Sequence, residues 1–232
     1  MQETSRVRAI VFDLDGTLVD SAPDLLAAVN RLLAALGRSR LDLVAVKGMI
    51  GDGVRRLVER ALAATGGVPP GRALDDAVEQ FYAFYMQAPS VLTRAYPGVP
   101  NALEELHRRG IVLGVCTNKP AQAAQAILQE LGLSRFLSGL SGGDSAGVRK
   151  PDPGHVLDAV ARINGEAATT VMVGDNEHDI HAGKAAGLLM TIAVTHGYAH
   201  VPHEQLGADR LIDGFDELVP VLEEAGLLRR IL

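Results

Sequence analysis

A chain of 232 residues with 47% hydrophobic side chains can bury one large core or two modest ones. Its 28 acidic residues outnumber the 22 basic ones, for a formal net charge of -6, so it offers no basic surface for nucleic acid, and a phosphate ligand would need cations placed locally. The first residues, Met1 to Arg8, lack the apolar region of a signal peptide, and no apolar run approaches the ~20 residues of a membrane span. The one cysteine, Cys116, cannot form an internal disulfide and sits in a strand-like run, where it reads as a small buried hydrophobe. A cytoplasmic protein without a membrane partner is expected.

Ala9-Ile10-Val11-Phe12 reads as a buried parallel strand that runs directly into Asp13-Leu14-Asp15-Gly16-Thr17-Leu18. Asp13 then stands at the strand end, alternation brings Asp15 to the same side, and Gly16 lets the chain turn sharply. Carboxylates this close repel unless a cation joins them, and a hard divalent ion, Mg²⁺, is expected. Ser21-Ala22-Pro23-Asp24 starts a helix that carries Leu25, Val29, Leu32 and Leu36 and stops at Gly37. Helical spacing recurs in Val54, Leu57, Val58, Ala61 and Leu62, and again in Leu74, Val78, Phe81, Phe84 and Tyr85. With no strand signal between these patterns, residues 20–95 read as an all-helical insert, ended by the hinge-like Tyr96-Pro97-Gly98-Val99-Pro100.

From there strands and helices alternate. A helix around Ala102 to Arg109 precedes the apolar strand Ile111 to Cys116, which ends in Thr117-Asn118-Lys119-Pro120. A helix with Ala124, Ile127, Leu128 and Leu131 follows, then a weaker strand at Gly139-Leu140-Ser141 and the rigid turn Arg149-Lys150-Pro151-Asp152-Pro153, which feeds another helix. Thr170 to Val173 is the clearest later strand and ends in Gly174-Asp175-Asn176-Glu177-His178-Asp179. Met190 to Val194 and Arg210 to Ile212 complete the strands, and a closing helix spans Phe215 to Ala225, its limits blurred by Pro220. This alternation predicts an α/β fold: a Rossmann-like, doubly wound parallel sheet built from residues 1–19 and 96–232, with residues 20–95 inserted as a helical cap. Ligands in such sheets bind beyond the carboxyl ends of the strands, where Asp13, Asp15, Thr117, Lys150, Asp175 and Asp179 can converge.

As a reagent, this set of carboxylates, one lysine and one hydroxyl suits phosphoryl transfer: a metal neutralises acids and phosphate together, and one carboxylate attacks in line. Splitting the very slow hydrolysis of a phosphate monoester through an aspartyl-phosphate eases each half. The four motifs, Asp13-Leu14-Asp15-Gly16-Thr17, Thr117, Lys150-Pro151 and Gly174-Asp175 with Asp179, resemble in order those of the haloacid dehalogenase superfamily of phosphohydrolases. The resemblance implies Asp13 as nucleophile and Asp15 as general acid and then base. It implies Mg²⁺ on Asp13, on the Asp15 main-chain carbonyl and on Asp175, with Asp179 nearby as a ligand through water. Thr117 and the Asn118 amide would hold phosphate, Lys150 would tie it to Asp13, and Gly16, Thr17 and Lys119 would stand with the substrate. Asn176 replaces the serine of many relatives and can still cap a helix.

The insert lies where the family carries its smaller cap, which implies a lid that excludes water and selects the leaving group. Gly48 to Leu62 and Thr195-His196-Gly197-Tyr198 are similar to phosphoglycolate phosphatases, and Arg55, or else Lys47, is a candidate to meet a substrate carboxylate. The implied partner is a small phosphorylated metabolite, first of all 2-phosphoglycolate. Other sugar or amino-sugar phosphates, a β-phosphoglucomutase-like phosphomutase and a non-catalytic phosphate-binding module are the alternatives. The chain would act as a monomer or homodimer. His178, His181 and His196 lack a compact zinc spacing, so no zinc site is expected, and His200 and His203 read as surface residues. Lys119 could add positive potential near a phosphate or lie in an exposed loop.

Overall fold

The computed structural model describes residues 7–229, so the reading of the leader falls largely outside the described residues. Strand β1 (Ala9–Phe12) is wholly buried, and its alternation sends Ile10 and Phe12 into one layer of core and Ala9 and Val11 into the other. Its end is followed by β2 (Val19–Asp20) and four helices, α1 (Ala22–Ala35), α2 (Leu43–Lys47), α3 (Val54–Ala64) and α4 (Arg72–Met86). The strand β3 (Arg94–Ala95) returns antiparallel to β2, pairing Val19 with Ala95 and Asp20 with Arg94. The expectation of a purely helical stretch over residues 20–95 is therefore corrected. Two-residue strands are too short for an alternating pattern to register, and α2, a helix of five residues, is equally short.

The alternating part runs α5 (Val99–Arg108), β4 (Val112–Cys116), α6 (Ala121–Glu130), β5 (Gly139–Ser141), α7 (Pro153–Arg162), β6 (Thr170–Gly174), α8 (Glu177–Ala185), β7 (Met190–Val194), β8 (Arg210–Ile212) and α9 (Leu218–Glu224). Six of the strands form one parallel sheet in the order β5-β4-β1-β6-β7-β8. Helices α5, α6 and α9 pack one face, α7 and α8 the other. The chain lays down β4 and β5 on one side of β1, then crosses to β6 on the other, so the topological switch lies at β1. The register pairs Phe12 with both Val115 and Val173, which sets the ends of β4, β1 and β6 side by side.

The helices of the insert share a separate core in which Leu32, Leu33, Leu62, Phe81 and Tyr85 are buried, and Ala123 and Tyr198 of the sheet-bearing part join it. Asp24, in the first turn of α1, accepts from the main-chain N–H groups of Leu92 and Thr93 and from the Thr93 hydroxyl, so the insert is clamped where it begins and ends. Among the described residues no helix is long and apolar enough to cross a membrane.

Candidate active site

Three adjacent strand ends place two of the acids and a threonine. Asp13 leaves β1 with its N–H bonded to the Val173 carbonyl (2.9 Å), Thr117 leaves β4 with its N–H on Ser141 (2.9 Å), and Asp175 leaves β6. Lys150, on the loop between β5 and α7, reaches under them: its ammonium donates to Asp13 Oδ1 (2.8 Å), to Asp179 Oδ1 (2.6 Å) and to the Cys116 carbonyl (2.6 Å). Asp13, Asp175 and Asp179 are buried and present carboxylate oxygens within 4.8 Å of one another. Beside them lies a cleft of about 40 Å³, floored by Asp13, Asp15, Thr117, Asn118 and Lys119 and roofed by Leu25, Ile50, Val54 and Leu57 of the insert.

Burial pushes the Asp13 carboxyl up to about 7, with Lys150 pulling the other way and Asp179 adding to the rise. Burial also raises Asp175 well above the ordinary carboxylate range, with Asp179 and Asp13 contributing. Burial works against the Lys150 ammonium too, but Asp13 and Asp179 outweigh it and hold the lysine above its usual range. One ammonium thus serves a nest of three acids that remains electron-rich. Oxygen-only donors, crowded and dry, are what a hard divalent cation requires, so the residues present fit one. The turn is built for that approach: Gly16, at φ +93°, lies so close to Asp175 that a Cβ there would collide with its Oδ2.

The structure sorts the remaining candidates. Asp179 spends Oδ1 on Lys150 and Oδ2 on the N–H groups of Asp175 and Asn176 (3.1 and 3.2 Å), and Asn176 caps α8 through the His178 N–H (2.9 Å). Asp15 accepts from the Ser21 hydroxyl and, through both oxygens, from the Lys119 ammonium at 2.9 Å. The exposed-loop alternative for Lys119 is overturned: the side chain is buried, and its ammonium also stands 4.9 Å from the centre of the Tyr85 ring. Thr17 is placed away from a substrate, because its hydroxyl donates to Asp175 Oδ1 (2.9 Å) and it is fully buried. The Asn118 side chain is likewise occupied, donating to the carbonyls of Gly51 (2.9 Å) and Lys150 (3.0 Å), so only its main-chain N–H is left to offer an anion.

Arg55 is not brought to the site. Its guanidinium lies on the exposed side of α3, paired with Asp75 (2.6 Å) and Glu59 (3.3 Å), because the face of that helix turned inward is taken by Leu57, Val58, Ala61 and Leu62. Lys47 lies 3.7 Å from Asp20 and 5.6 Å from the centre of the Tyr198 ring, also outside the cleft lining.

Tyr198 emerges as a structural hub that spacing alone did not reveal. Its N–H donates to Asp175 Oδ2 (2.6 Å), and its hydroxyl donates to Asp20 (2.6 Å) while accepting from the N–H groups of Ser21 and Ala22 at the start of α1. One residue therefore fixes an acid of the nest and the root of the insert. The similarity of Thr195 to Tyr198 to known phosphatases was the signal that pointed to this loop. His155, buried beneath Lys150 with Nδ1 3.3 Å from the Lys150 N–H, was not singled out at all.

Comparison with known proteins adds an independent line. A family model described as haloacid dehalogenase-like hydrolase matches residues 7–187. The chain is 41% identical to a phosphoglycolate phosphatase of Cereibacter sphaeroides over 96% of its length and 98% of that protein's. It is 37% identical to a phosphoglycolate phosphatase of Agrobacterium fabrum, covering 92% of this chain and 91% of that one. The crystal structure of a predicted phosphoglycolate phosphatase from Haemophilus somnus superimposes with a TM-score of 0.88 at 29% identity, over 94% of this chain and 99% of that chain.

Proposed function

The chain belongs to the haloacid dehalogenase-like hydrolases, and from that membership we propose that it hydrolyses 2-phosphoglycolate with Mg²⁺ through an aspartyl-phosphate on Asp13. It is a phosphoric monoester hydrolase, the activity that relatives at 41% and 37% identity carry in their names. The observation that carries the detailed reading is Asp13 itself: it lines the cleft while Lys150 and the neighbouring acids hold it from behind. In this reading residues 1–19 and 96–232 form the catalytic core and residues 20–95 the cap.

Asp13 and Asp175, with the main-chain carbonyl of Asp15, would hold Mg²⁺, which when bound neutralises charge on the transferring phosphoryl group. Asp179 would fix Lys150 and the 174–176 turn and meet the ion through water. A free oxygen of Asp13 attacks phosphorus in line, and the bond from phosphorus to the leaving oxygen breaks. An arriving phosphate offers Lys119 a competing anion, which frees Asp15 to take a proton from solvent and pass it to the leaving alkoxide. Asp15 then accepts a proton from water as that water attacks the acylphosphate, and inorganic phosphate leaves with Asp13 restored. The Thr117 hydroxyl and the Asn118 N–H would steady the phosphate oxygens during both halves.

The apolar roof of Leu25, Ile50, Val54 and Leu57 stands directly over the acids and bounds the space left for a leaving group. A phosphate-release assay with Mg²⁺ over small phosphorylated metabolites tests this. The kcat/KM for 2-phosphoglycolate should exceed that of sugar phosphates by at least ~10-fold. Isomer formation without phosphate release would replace the reading with a phosphomutase, and turnover of no compound would leave a non-catalytic phosphate-binding module.

A further inference from the structure

Outside the acid nest, a second group of metal-binding side chains meets at the seam between insert and core. Glu177 and His178 stand in the first turn of α8, His200 lies on the loop after β7, and Asp52 comes from the loop that enters α3. Glu177, His178 and His200 each offer a ligand atom, with all three within 4.8 Å of one another. His200 Nδ1 lies 2.9 Å from Glu177 Oε1, and His178 Nε2 lies 2.8 Å from Asp52 Oδ1. The other oxygen of Glu177 is buried and has no hydrogen-bond partner. The other oxygen of Asp52 is bound by Arg60, which orients that carboxylate toward His178. Side-chain exposures of 18 to 23% across the four residues leave the group reachable from solvent.

We propose that Glu177, His178 and His200 form a binding site for a borderline-soft divalent cation, with Zn²⁺ as its probe, and that Asp52 of the insert, 2.8 Å from His178, adds its negative charge beside the ion. Two imidazoles and the Glu177 carboxylate are a three-ligand set that Zn²⁺ takes with water in the fourth tetrahedral position, whereas Mg²⁺ selects oxygen alone. Bonds of the usual length put tetrahedral ligand atoms ~3.3 Å apart, so the His200–Glu177 pair, now at 2.9 Å, opens by a few tenths of an ångström and the His178 nitrogen, within 4.8 Å of both, draws toward the ion. The orphan Glu177 oxygen is a further lone-pair donor of the same carboxylate. The group is separate from the acid nest, because Asp179, the next residue along, turns inward to Lys150 and the 174–176 turn. Asp52 adjoins Gly51, whose carbonyl receives the Asn118 amide at the cleft, so an ion beside the His178–Asp52 pair lies close to where substrate must enter.

The test uses the full-length chain in excess Mg²⁺. Equilibrium dialysis with Zn²⁺ should find one bound equivalent, and Co²⁺ in its place should give the visible absorption of a tetrahedral nitrogen and oxygen site. His200→Gln, on an exposed loop, should weaken Zn²⁺ binding at least ~10-fold, and the double variant His178→Gln with His200→Gln should abolish it with the circular dichroism unchanged. Asp13→Asn should keep the Zn²⁺ equivalent, which separates this site from the nest. In the wild type, Zn²⁺ should lower kcat, and His200→Gln should relieve the inhibition. No bound Zn²⁺ in the wild type, or an equivalent that persists in the double variant, overturns the proposal.

Discussion

At the strand ends of the core, the charged groups are buried and engaged by others, whereas along the outer faces of α3 and α4 they pair with one another in water. Lys150 touches two carboxylates and a carbonyl, and Asp175 receives Thr17 and Tyr198. On the insert, Arg55 meets Asp75 and Glu59, Arg56 meets Glu59, and Arg72 meets Asp76, all with exposed guanidinium groups. The contrast is one of dielectric. A buried charge with fixed partners can steer a reaction, while exposed pairs are screened and contribute little. What the insert gives to the cleft is apolar: Leu25, Ile50, Val54 and Leu57 exclude water from above the acids.

The contrast breaks most directly at Asp13. Asp13→Asn removes the proposed nucleophile while relieving charge crowding, so kcat should fall by ~10⁴-fold or more with the fold intact by circular dichroism. Activity above a tenth of wild type would remove Asp13 from the attacking role. Thr17→Val probes the next layer of support. Asp175 loses one of its two donors, and kcat or the apparent Mg²⁺ affinity should drop by ~10- to 100-fold, read from Mg²⁺ titrations of phosphate release.

How much of this was legible in the sequence follows the same division. Asp13, Thr117 and Asp175 follow strands whose apolar runs are unmistakable, and a parallel sheet can only gather such residues at one edge. Lys150 was legible through its proline-rich turn and its family likeness, although only the fold shows that one ammonium spans Asp13 and Asp179. Thr17 and Asn118 stood in the right motifs, but which way a side chain turns depends on partners 158 and 67 positions away in sequence, Asp175 and Gly51. Lys119 was undecidable between two readings until Tyr85 of α4 and Asp15 closed around it. His178 and His200 show no metal spacing along the chain because β7 and the loop beyond it intervene, and only the sheet brings them together.

A buried group that takes no part in the chemistry sharpens the comparison through pH. Burial first, and the charge of Lys150 second, hold the His155 imidazole down at about 4, against ~6.5 in an unfolded chain. Above pH 6.5 both states are neutral, and the stability linked to this residue is present in full. As pH falls from 6.5 toward 4, the unfolded chain takes up a proton that the native state refuses, and stability is lost. The Tm should therefore decline across that window, and the decline should be shallower in His155→Gln, whose amide can still accept from the Lys150 N–H. Identical slopes for the two proteins would show that the imidazole is solvated in the native state.

The smallest effect is expected at the insert surface, and it decides whether the division holds. Arg55 adjoins Val54, which lines the cleft, so one turn of side chain separates a specificity contact from a solvated face. In the structure the guanidinium is 48% exposed and already satisfied by Asp75 and Glu59, two partners within α3 and α4. Moving it to a substrate carboxylate would break both pairs and turn the side chain past the edge of the roof. Arg55→Ala should therefore leave kcat/KM for 2-phosphoglycolate within about 2-fold of wild type and the Tm within ~2 °C. A tenfold loss of kcat/KM, with the Tm unchanged, would mean that the insert does send a charge into the cleft during turnover, and the separation of an apolar roof from a charged floor would fail at that residue.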